Sequence, residues 1–153
     1  IQLSSMQDGR TFALNKRLRV TPFLVPHRDE FSETVGFRIE GPQQKVLWLP
    51  DIDKWEKWKT PLEKALKDVD VAYLDGTFFA NGELPGRDMS KIPHPFIAET
   101  MRRLKNQPPA LRAKVRFIHL NHTNPAHNPK STAAKAIHAA GMRVAGQGER
   151  VNL

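Results

Sequence analysis

The sequence has 153 residues, which is enough for one globular domain with a single hydrophobic core. Its hydrophobic fraction of 39% and charged fraction of 26% are typical of folded proteins and argue against a disordered tail or a coiled coil. The absence of cysteine excludes disulfides, thiolate metal ligands and cysteine nucleophiles. No apolar run is long enough to span a bilayer, so we predict a soluble protein without a membrane segment.

Basic residues outnumber acidic ones, with 24 Lys and Arg against 16 Asp and Glu and a formal net charge of +8. This excess favours anionic partners. The basic side chains are scattered rather than arranged in a stripe with interleaved aromatics, so binding of nucleic acid or another polyanion is an alternative that we do not favour. The chain begins at Ile1 without a recognisable targeting segment and indicates no compartment.

Strands dominate the first third of the predicted secondary structure. Residues 18–25 (LRVTPFLV) are rich in β-branched and aromatic side chains and predict a strand. Residues 34–40 alternate apolar and polar side chains, as a half-buried strand does, and Gly41-Pro42 turns the chain into a third strand over 45–49. Asp8-Gly9 predicts an earlier turn.

Helices and strands then alternate along the chain. Apolar residues at three- and four-residue steps over 55–69 predict helical structure, broken at Pro61, and residues 71–74 predict a buried strand. Residues 76–95 predict a loop, and Pro95 favours the first position of the next helix. The remaining predictions are a strand over 114–120, a helix from a cap at Asn128-Pro129 to Gly141, and short strands over 142–145 and 150–153. This order predicts one layered α/β unit, residues 1–153, with helices covering a mixed sheet.

Three predicted strands lead into a side chain that can bind a metal, namely His27, Asp51 and Asp75, and His119 lies near the end of a fourth. Loops that leave the carboxyl ends of strands converge on one edge of a layered α/β fold. Imidazole and carboxylate together suit zinc or iron with open positions for water and substrate. A metal held in this way acidifies its bound water and yields a hydroxide nucleophile without serine or cysteine.

Each of these residues also has a purely structural interpretation. Asp51 could cap the helix that begins near Lys54, and His27 could be an exposed loop histidine. His119 and His122 could only hydrogen-bond a tight turn, and the Trp55/Trp58 pair could be core packing. We expect His127 and His138 to be solvated.

Several strings resemble the second half of the metallo-β-lactamase superfamily over residues 20–150. They are VPHRDEFSETVGFRIEG, VLWLPDID, VAYLDGTFFANGEL and FIHLNHTNP. The branch they resemble most is that of the pyrroloquinoline-quinone biosynthesis B proteins. This resemblance implies the second half of an αββα sandwich, a mixed sheet with helices on its outer face.

The resemblance also implies a role for individual residues. His27, Asp51 and His119 match metal ligands, with one or two zinc ions as the expected cofactor and iron as the alternative. Asp75 matches the carboxylate that orients a nearby histidine, and His94 is the local counterpart of that histidine, so this pair would protonate a leaving group. The HxHxDH string of the superfamily's N-terminal half is absent from residues 1–153. We therefore expect that missing half as a partner of this unit, and little activity from this unit alone.

The resulting functional hypothesis is a metallohydrolase in which metal-bound hydroxide attacks an ester, amide or phosphoester of a small, anionic substrate. Iron-dependent oxygenation in quinone cofactor biosynthesis is the alternative within the same ligand set, since histidine and aspartate bind both metals. A basic, non-enzymatic module is the alternative outside it. Within the loop after Asp75, Arg87 and Lys91 are candidates for binding a substrate carboxylate or phosphate, and His122 is a third candidate.

Overall fold

The computed structural model describes residues 5–153 and forms one seven-stranded mixed sheet. Its strands are adjacent in chain order: β1 (Phe12–Ala13), β2 (Arg19–Leu24), β3 (Val35–Glu40), β4 (Lys45–Leu49), β5 (Val71–Asp75), β6 (Val115–Ile118) and β7 (Arg143–Val144). Strands β1 to β4 pair antiparallel, and β4 to β7 pair parallel. The predicted mixed α/β sheet is therefore confirmed, including the hairpin between β3 and β4. Residues 1–4, the start of the polar N-terminal stretch, lie outside the described residues.

Four α-helices connect and cover the parallel strands: α1 (Leu62–Lys67), α2 (Ile97–Leu104), α3 (Pro109–Arg112) and α4 (Thr132–Ala139). Short 3-10 turns lie at Trp55–Lys57, Met89–Lys91 and Pro125–His127. The main core joins one face of β4, β5 and β6 to α1, α2 and α4, through Leu47, Leu74, Phe117, Leu66, Ile97 and Ile137 among others. Among residues 5–153, no helix has the length and apolar character that crossing a bilayer requires.

The opposite face of the sheet carries a second, smaller cluster around Val46, Val71 and Tyr73. Val151 and Leu153 pack against it. The predicted strand over 150–153 is therefore wrong, because these residues fold back as irregular chain onto the sheet face instead of pairing at its edge.

Two predicted helix starts are also wrong. Helix α4 begins at Thr132, because the Ser131 hydroxyl accepts a hydrogen bond from Ala134 N, while the Asn128 side chain accepts one from Lys130 N in the preceding turn. Helix α2 begins at Ile97, two residues beyond Pro95, where the Glu99 carboxylate accepts a hydrogen bond from Phe96 N at 2.8 Å.

The predicted helical region over 55–69 consists of the 3-10 turn Trp55–Lys57 and helix α1, and the break at Pro61 is confirmed. Trp55 is buried in the main core and donates to the Thr100 hydroxyl, so its role is packing. The short elements β1 and α3 have no counterpart in the predicted order, because segments of two to four residues carry too little periodicity to detect.

Candidate metal centre

The candidate site lies where the carboxyl ends of β2, β4, β5 and β6 meet. Strand β2 runs antiparallel to β3, which runs antiparallel to β4, so β2 points in the same direction as β4, β5 and β6. The loops that leave these ends are tied together, since Asp53 N donates to Pro26 O at 2.7 Å. The strand order therefore brings His27, Asp51, Asp75 and His119 to one edge, as the sequence predicts.

His27 and Asp51 face each other across this edge. Nε2 of His27 lies 2.5 Å from Oδ1 of Asp51, and the His27 side chain is only 13% exposed, so it is not a free loop histidine. These two atoms are within ion-pair distance of each other but not in hydrogen-bond geometry, and within residues 5–153 neither makes a hydrogen bond to another group. Buried polar atoms without a partner are costly, and a cation shared by the nitrogen and the oxygen would satisfy both. Asp51 does not cap the following 3-10 turn, because the N-cap of this turn is Lys54 and no side chain makes a capping hydrogen bond there.

The other nitrogen of His27 constrains how such a cation could bind. Arg28 N donates to His27 Nδ1 at 2.6 Å, so Nδ1 acts as an acceptor and the neutral ring carries its proton on Nε2. A metal on Nε2 therefore has to move this proton to Nδ1 and break the contact with Arg28.

Asp75, the last residue of β5, is completely buried beneath the site. Its two carboxylate oxygens accept from Ile52 N (3.2 Å), Thr77 N (2.9 Å) and the Thr77 hydroxyl (2.7 Å). Nδ1 of His94 lies 2.7 Å from Asp75 Oδ2 and must carry the proton of this bond, since a carboxylate only accepts. Asp75 thus holds the ring of His94 with its Nε2 free of a proton in the neutral form.

His94 joins the cluster from the loop between β5 and α2. Its Nδ1 is 3.4 Å from Asp51 Oδ1, and its ring packs edge-on against that of His27 at a centroid distance of 5.3 Å. Burial lowers the pKa of His94, but the hydrogen bond and charge of Asp75, with the charges of Asp51 and Asp53, outweigh burial and raise the pKa above 6.5. A raised pKa keeps this ring protonated over a wider pH range.

His119 follows β6 at the more exposed rim of the site. It has a φ of 62°, the only positive φ of a non-glycine residue within 5–153. A left-handed backbone costs on the order of 1–3 kcal/mol for a residue with a side chain and concentrates at functional sites. One potential ligand atom is offered by each of four residues, Asp51, Asp75, His94 and His119. These four atoms all lie within 4.8 Å of one another. These atoms belong to two imidazoles and two carboxylates, groups that bind transition metals, whereas His27 is outside this set and reaches it through its contact with Asp51.

The predicted substrate-binding residues are not part of this cluster. Arg87 and Lys91 lie exposed on the loop between β5 and α2, where Lys91 pairs with Asp88 at 3.6 Å. His122 is exposed just after His119. Their role in binding a substrate therefore stays a prediction. His127 and His138 are both exposed, as expected of solvated histidines.

Sequence reasoning did not single out two side chains that shape the site. Thr77 is 7% exposed and its hydroxyl lies within hydrogen-bond distance of Asp75, His94 and His119. Asn124 is 2% exposed and donates to Gly76 O at 2.8 Å, which fixes the turn after β5. Both residues lie in strings that resemble the superfamily and could have been found there. Thr77 is the Thr of DGTF, two residues after Asp75, and Asn124 is the second Asn of HLNHTNP.

A family model described as the β-lactamase superfamily domain matches residues 1–119 of the sequence. The chain belongs to this superfamily. The match contains His27, Asp51, Asp75, His94 and His119, so it spans the site as well as most of the sheet.

Within the superfamily, the chain is similar to coenzyme PQQ synthesis protein B. It is 27% identical to the protein of Methylobacterium sp. (strain 4-46) over 164 residues, which cover 94% of this chain and 53% of the relative. It is 26% identical to the protein of Xanthomonas oryzae pv. oryzae (strain MAFF 311018) over 155 residues, which cover 89% of this chain and 51% of the relative. The chain thus spans about half the length of the curated relatives it matches.

A solved structure has the same fold. The crystal structure of Zn(2+)-bound PqqB from Methylobacterium extorquens superposes with a TM-score of 0.77 at 21% identity, over 98% of this chain and 55% of that chain. The resemblance to the metallo-β-lactamase fold and to the pyrroloquinoline-quinone biosynthesis B branch is therefore confirmed.

Proposed function

We propose that this chain forms part of a metal-dependent hydrolase that cleaves an ester, amide or phosphoester of a small anionic substrate. The observation that carries the proposal is the contact between His27 Nε2 and Asp51 Oδ1, two buried atoms that lack hydrogen-bond partners next to a cluster of two further histidines. His27, Asp51 and His119 would hold the metal. When bound there, the metal would supply a water-derived nucleophile near neutral pH.

In this proposal the Asp75–His94 pair delivers a proton to the leaving group. Asp75 is buried and holds Nδ1 of His94 at 2.7 Å, so the ring is fixed with Nε2 as the atom that can exchange a proton. A positioned proton donor of this kind contributes about 10²- to 10⁴-fold to a rate. Because the pKa of His94 is raised, its ring stays protonated to a higher pH than an ordinary histidine ring, as a proton donor must be.

Zinc is the metal we favour, with iron as the alternative. Histidine and aspartate bind both ions, so the ligand set is compatible with either. The related PqqB structure is described as Zn(2+)-bound, which supports zinc. Elemental analysis of the purified protein tests the choice. Stoichiometric zinc or iron that is lost in Asp51→Ala and His119→Ala, but kept in the exposed control His138→Ala, supports the site, whereas equal metal in all four proteins contradicts it.

A second candidate function follows from the name of the relatives. Proteins described as coenzyme PQQ synthesis protein B match this chain over 89% or more of its length, which supports a role in making this coenzyme. Iron-dependent oxygenation is the chemistry we propose for that role, because histidine and aspartate also bind iron. Oxygen consumption distinguishes the two candidates. Hydrolysis of an ester, amide or phosphoester panel without oxygen uptake supports the hydrolase, and substrate-dependent oxygen uptake by the iron-loaded protein supports oxygenation.

We also propose that the sheet face opposite the helices packs against the second sheet of an αββα sandwich, contributed by an N-terminal half that carries the HxHxDH string. This face leaves Trp48 38% and Leu24 47% exposed, next to partly buried Phe37 and Ile39. Contiguous apolar surface of this kind marks an interaction site. In the natural full-length protein, Trp48→Glu should lower the melting temperature, while Phe31→Glu, on a loop residue that is fully exposed here, should not. Equal melting temperatures would contradict the packing.

A further inference from the structure

We propose that Thr77 is a positioning residue that fixes the tautomer of His119 and so presents Nε2 of His119 as a bare lone pair. The importance of that lone pair for metal binding rests on the proposed function, but the tautomer itself does not. The hydroxyl group of Thr77 can donate a single hydrogen bond and accept two.

Thr77 donates its one hydroxyl proton to the carboxylate of Asp75. Thr77 Oγ1 donates to Asp75 Oδ1 at 2.7 Å, the shortest of its side-chain contacts, and Thr77 N donates to the same oxygen at 2.9 Å. A hydrogen bond to a carboxylate is stronger than one to a neutral ring nitrogen, so the proton stays on the side of Asp75. Thr77 Oγ1 can then only accept from its remaining neighbours.

One of these neighbours is Nδ1 of His119, at 3.1 Å. Because Thr77 Oγ1 has no further proton to give, the His119 ring has to carry its own proton on Nδ1 to form this bond. The neutral ring then has no proton on Nε2. Donation from Thr77 to the Asp75 carboxylate also makes Oγ1 a better acceptor, which strengthens the bond from His119.

The backbone holds the two residues in register, so the contact does not depend on one flexible side chain. Gly76 N donates to Ile118 O, and Asn121 N donates to Thr77 O, each at 2.9 Å. These bonds join the segment of Thr77 to the chain on both sides of His119. The left-handed backbone of His119, with φ of 62°, lies between them.

Metal-binding histidines usually donate their other ring N–H to a carboxylate, a carbonyl or a water, which fixes the tautomer. In this chain His94 donates to the Asp75 carboxylate, whereas His119 reaches the same carboxylate through the hydroxyl of Thr77. A single buried aspartate thus orients two histidines, one directly and one through Thr77.

Long-range ¹H–¹⁵N spectra of ¹⁵N-histidine-labelled, metal-stripped full-length protein test the tautomer, with His119 assigned by the loss of its signals in His119→Gln. At a pH where the ring is neutral, we expect the proton of His119 on Nδ1 in the wild type and in Thr77→Ser. Thr77→Val keeps the shape and removes the hydroxyl, and we expect the proton to shift towards Nε2. Thr100→Val removes a buried hydroxyl in α2, outside the site, and controls for loss of stability alone.

A wild-type His119 that carries its proton on Nε2, or a Thr77→Val spectrum identical to that of the wild type, would overturn the proposal. Zinc titration adds a second readout. We expect Thr77→Val to weaken zinc binding about 10- to 100-fold, with recovery in Thr77→Ser and no change in Thr100→Val. Should the wild type bind no zinc while the tautomers behave as expected, the proposed function fails and the role of Thr77 in fixing His119 stands.

Discussion

His94 donates its Nδ1 proton to the buried carboxylate of Asp75 across 2.7 Å, although the two residues are 19 positions apart in the sequence. Asp75 ends a central strand of the sheet and His94 lies in the loop that leads to the next helix. The pair therefore ties the loop that precedes α2 to the buried end of β5.

Asp75→Asn should lower the pKa of His94 in the metal-stripped protein. Burial alone lowers the pKa of this ring, and the Asp75 hydrogen bond and charge are the largest of the opposing effects. Without the charge, the neutral form is favoured, so protonation of His94 is lost at a lower pH than in the wild type. An NMR titration of the His94 ring measures this shift, and an unchanged midpoint would show that Asp75 does not control it. Glu149→Gln, outside the site, is the matched control.

Gly76→Ala should destabilise the protein, because this glycine allows the end of β5 to approach β6. A Cβ atom at position 76 would lie 2.9 Å from Phe117 Cβ and 3.0 Å from Ile118 O. Overpacking of this kind costs roughly 1–3 kcal/mol. Gly146→Ala, where a Cβ would meet nothing within 4 Å, should leave the urea midpoint nearly unchanged. Equal midpoints for the two variants would refute the close approach.

Arg103→Ala should cost about 1 kcal/mol at neutral pH, because the Arg103 guanidinium joins α2 to Glu63 of α1 by two hydrogen bonds, at 2.8 and 3.1 Å. Burial raises the pKa of Glu63, but the hydrogen bonds from Arg103 outweigh it and bring the pKa below 4.5. The contribution of the pair is therefore complete above pH 4.5 and lost as the pH falls through the lowered value. Urea unfolding at several pH values measures this loss of unfolding free energy, with Arg102→Ala as the control. A loss in Arg103→Ala that stays the same as the pH falls below 4.5 would contradict the prediction.

Replacement of both Arg87 and Lys91 by alanine should raise KM for an anionic substrate and leave kcat nearly unchanged. Both side chains lie on the exposed loop between β5 and α2, outside the cluster of candidate metal ligands. Loss of two positive charges removes attraction for a carboxylate or phosphate in the complex. The double variant Lys105→Ala/Lys135→Ala, at two exposed positions outside this loop, controls for the loss of two positive charges. An unchanged KM in the double variant would remove these two residues from the substrate site.

The sequence predicted the ends of β2, β4 and β5 to within one residue because local signals define them. The predicted strand over 114–120 was wrong to include His119, which lies beyond Ile118, the last residue of β6. Strand β4 matches residues 45–49 at both ends, bounded by the Gly41-Pro42 turn and Pro50. The start of α4 was wrong because Asn128 and Ser131 both favour caps, and only the tertiary position decides which of them begins the helix.

The parts that escaped prediction depend on register between strands that are distant in sequence. The contact of Thr77 with His119 requires β5 and β6 to be aligned with Leu74 opposite Phe117, which no local pattern encodes. The left-handed backbone of His119 likewise lies between residues 118 and 121, whose backbone bonds go to residues 76 and 77. Both features belong to the tertiary structure.

Anomalous diffraction at the zinc edge from crystals of the full-length protein tests the central claim most directly. We expect a peak within ordinary zinc–ligand distance, about 2.0–2.2 Å, of Asp51 and of Nε2 of His27 and His119. Fully occupied zinc bound elsewhere, with His27 and Asp51 still in direct contact and no ion beside them, would contradict it.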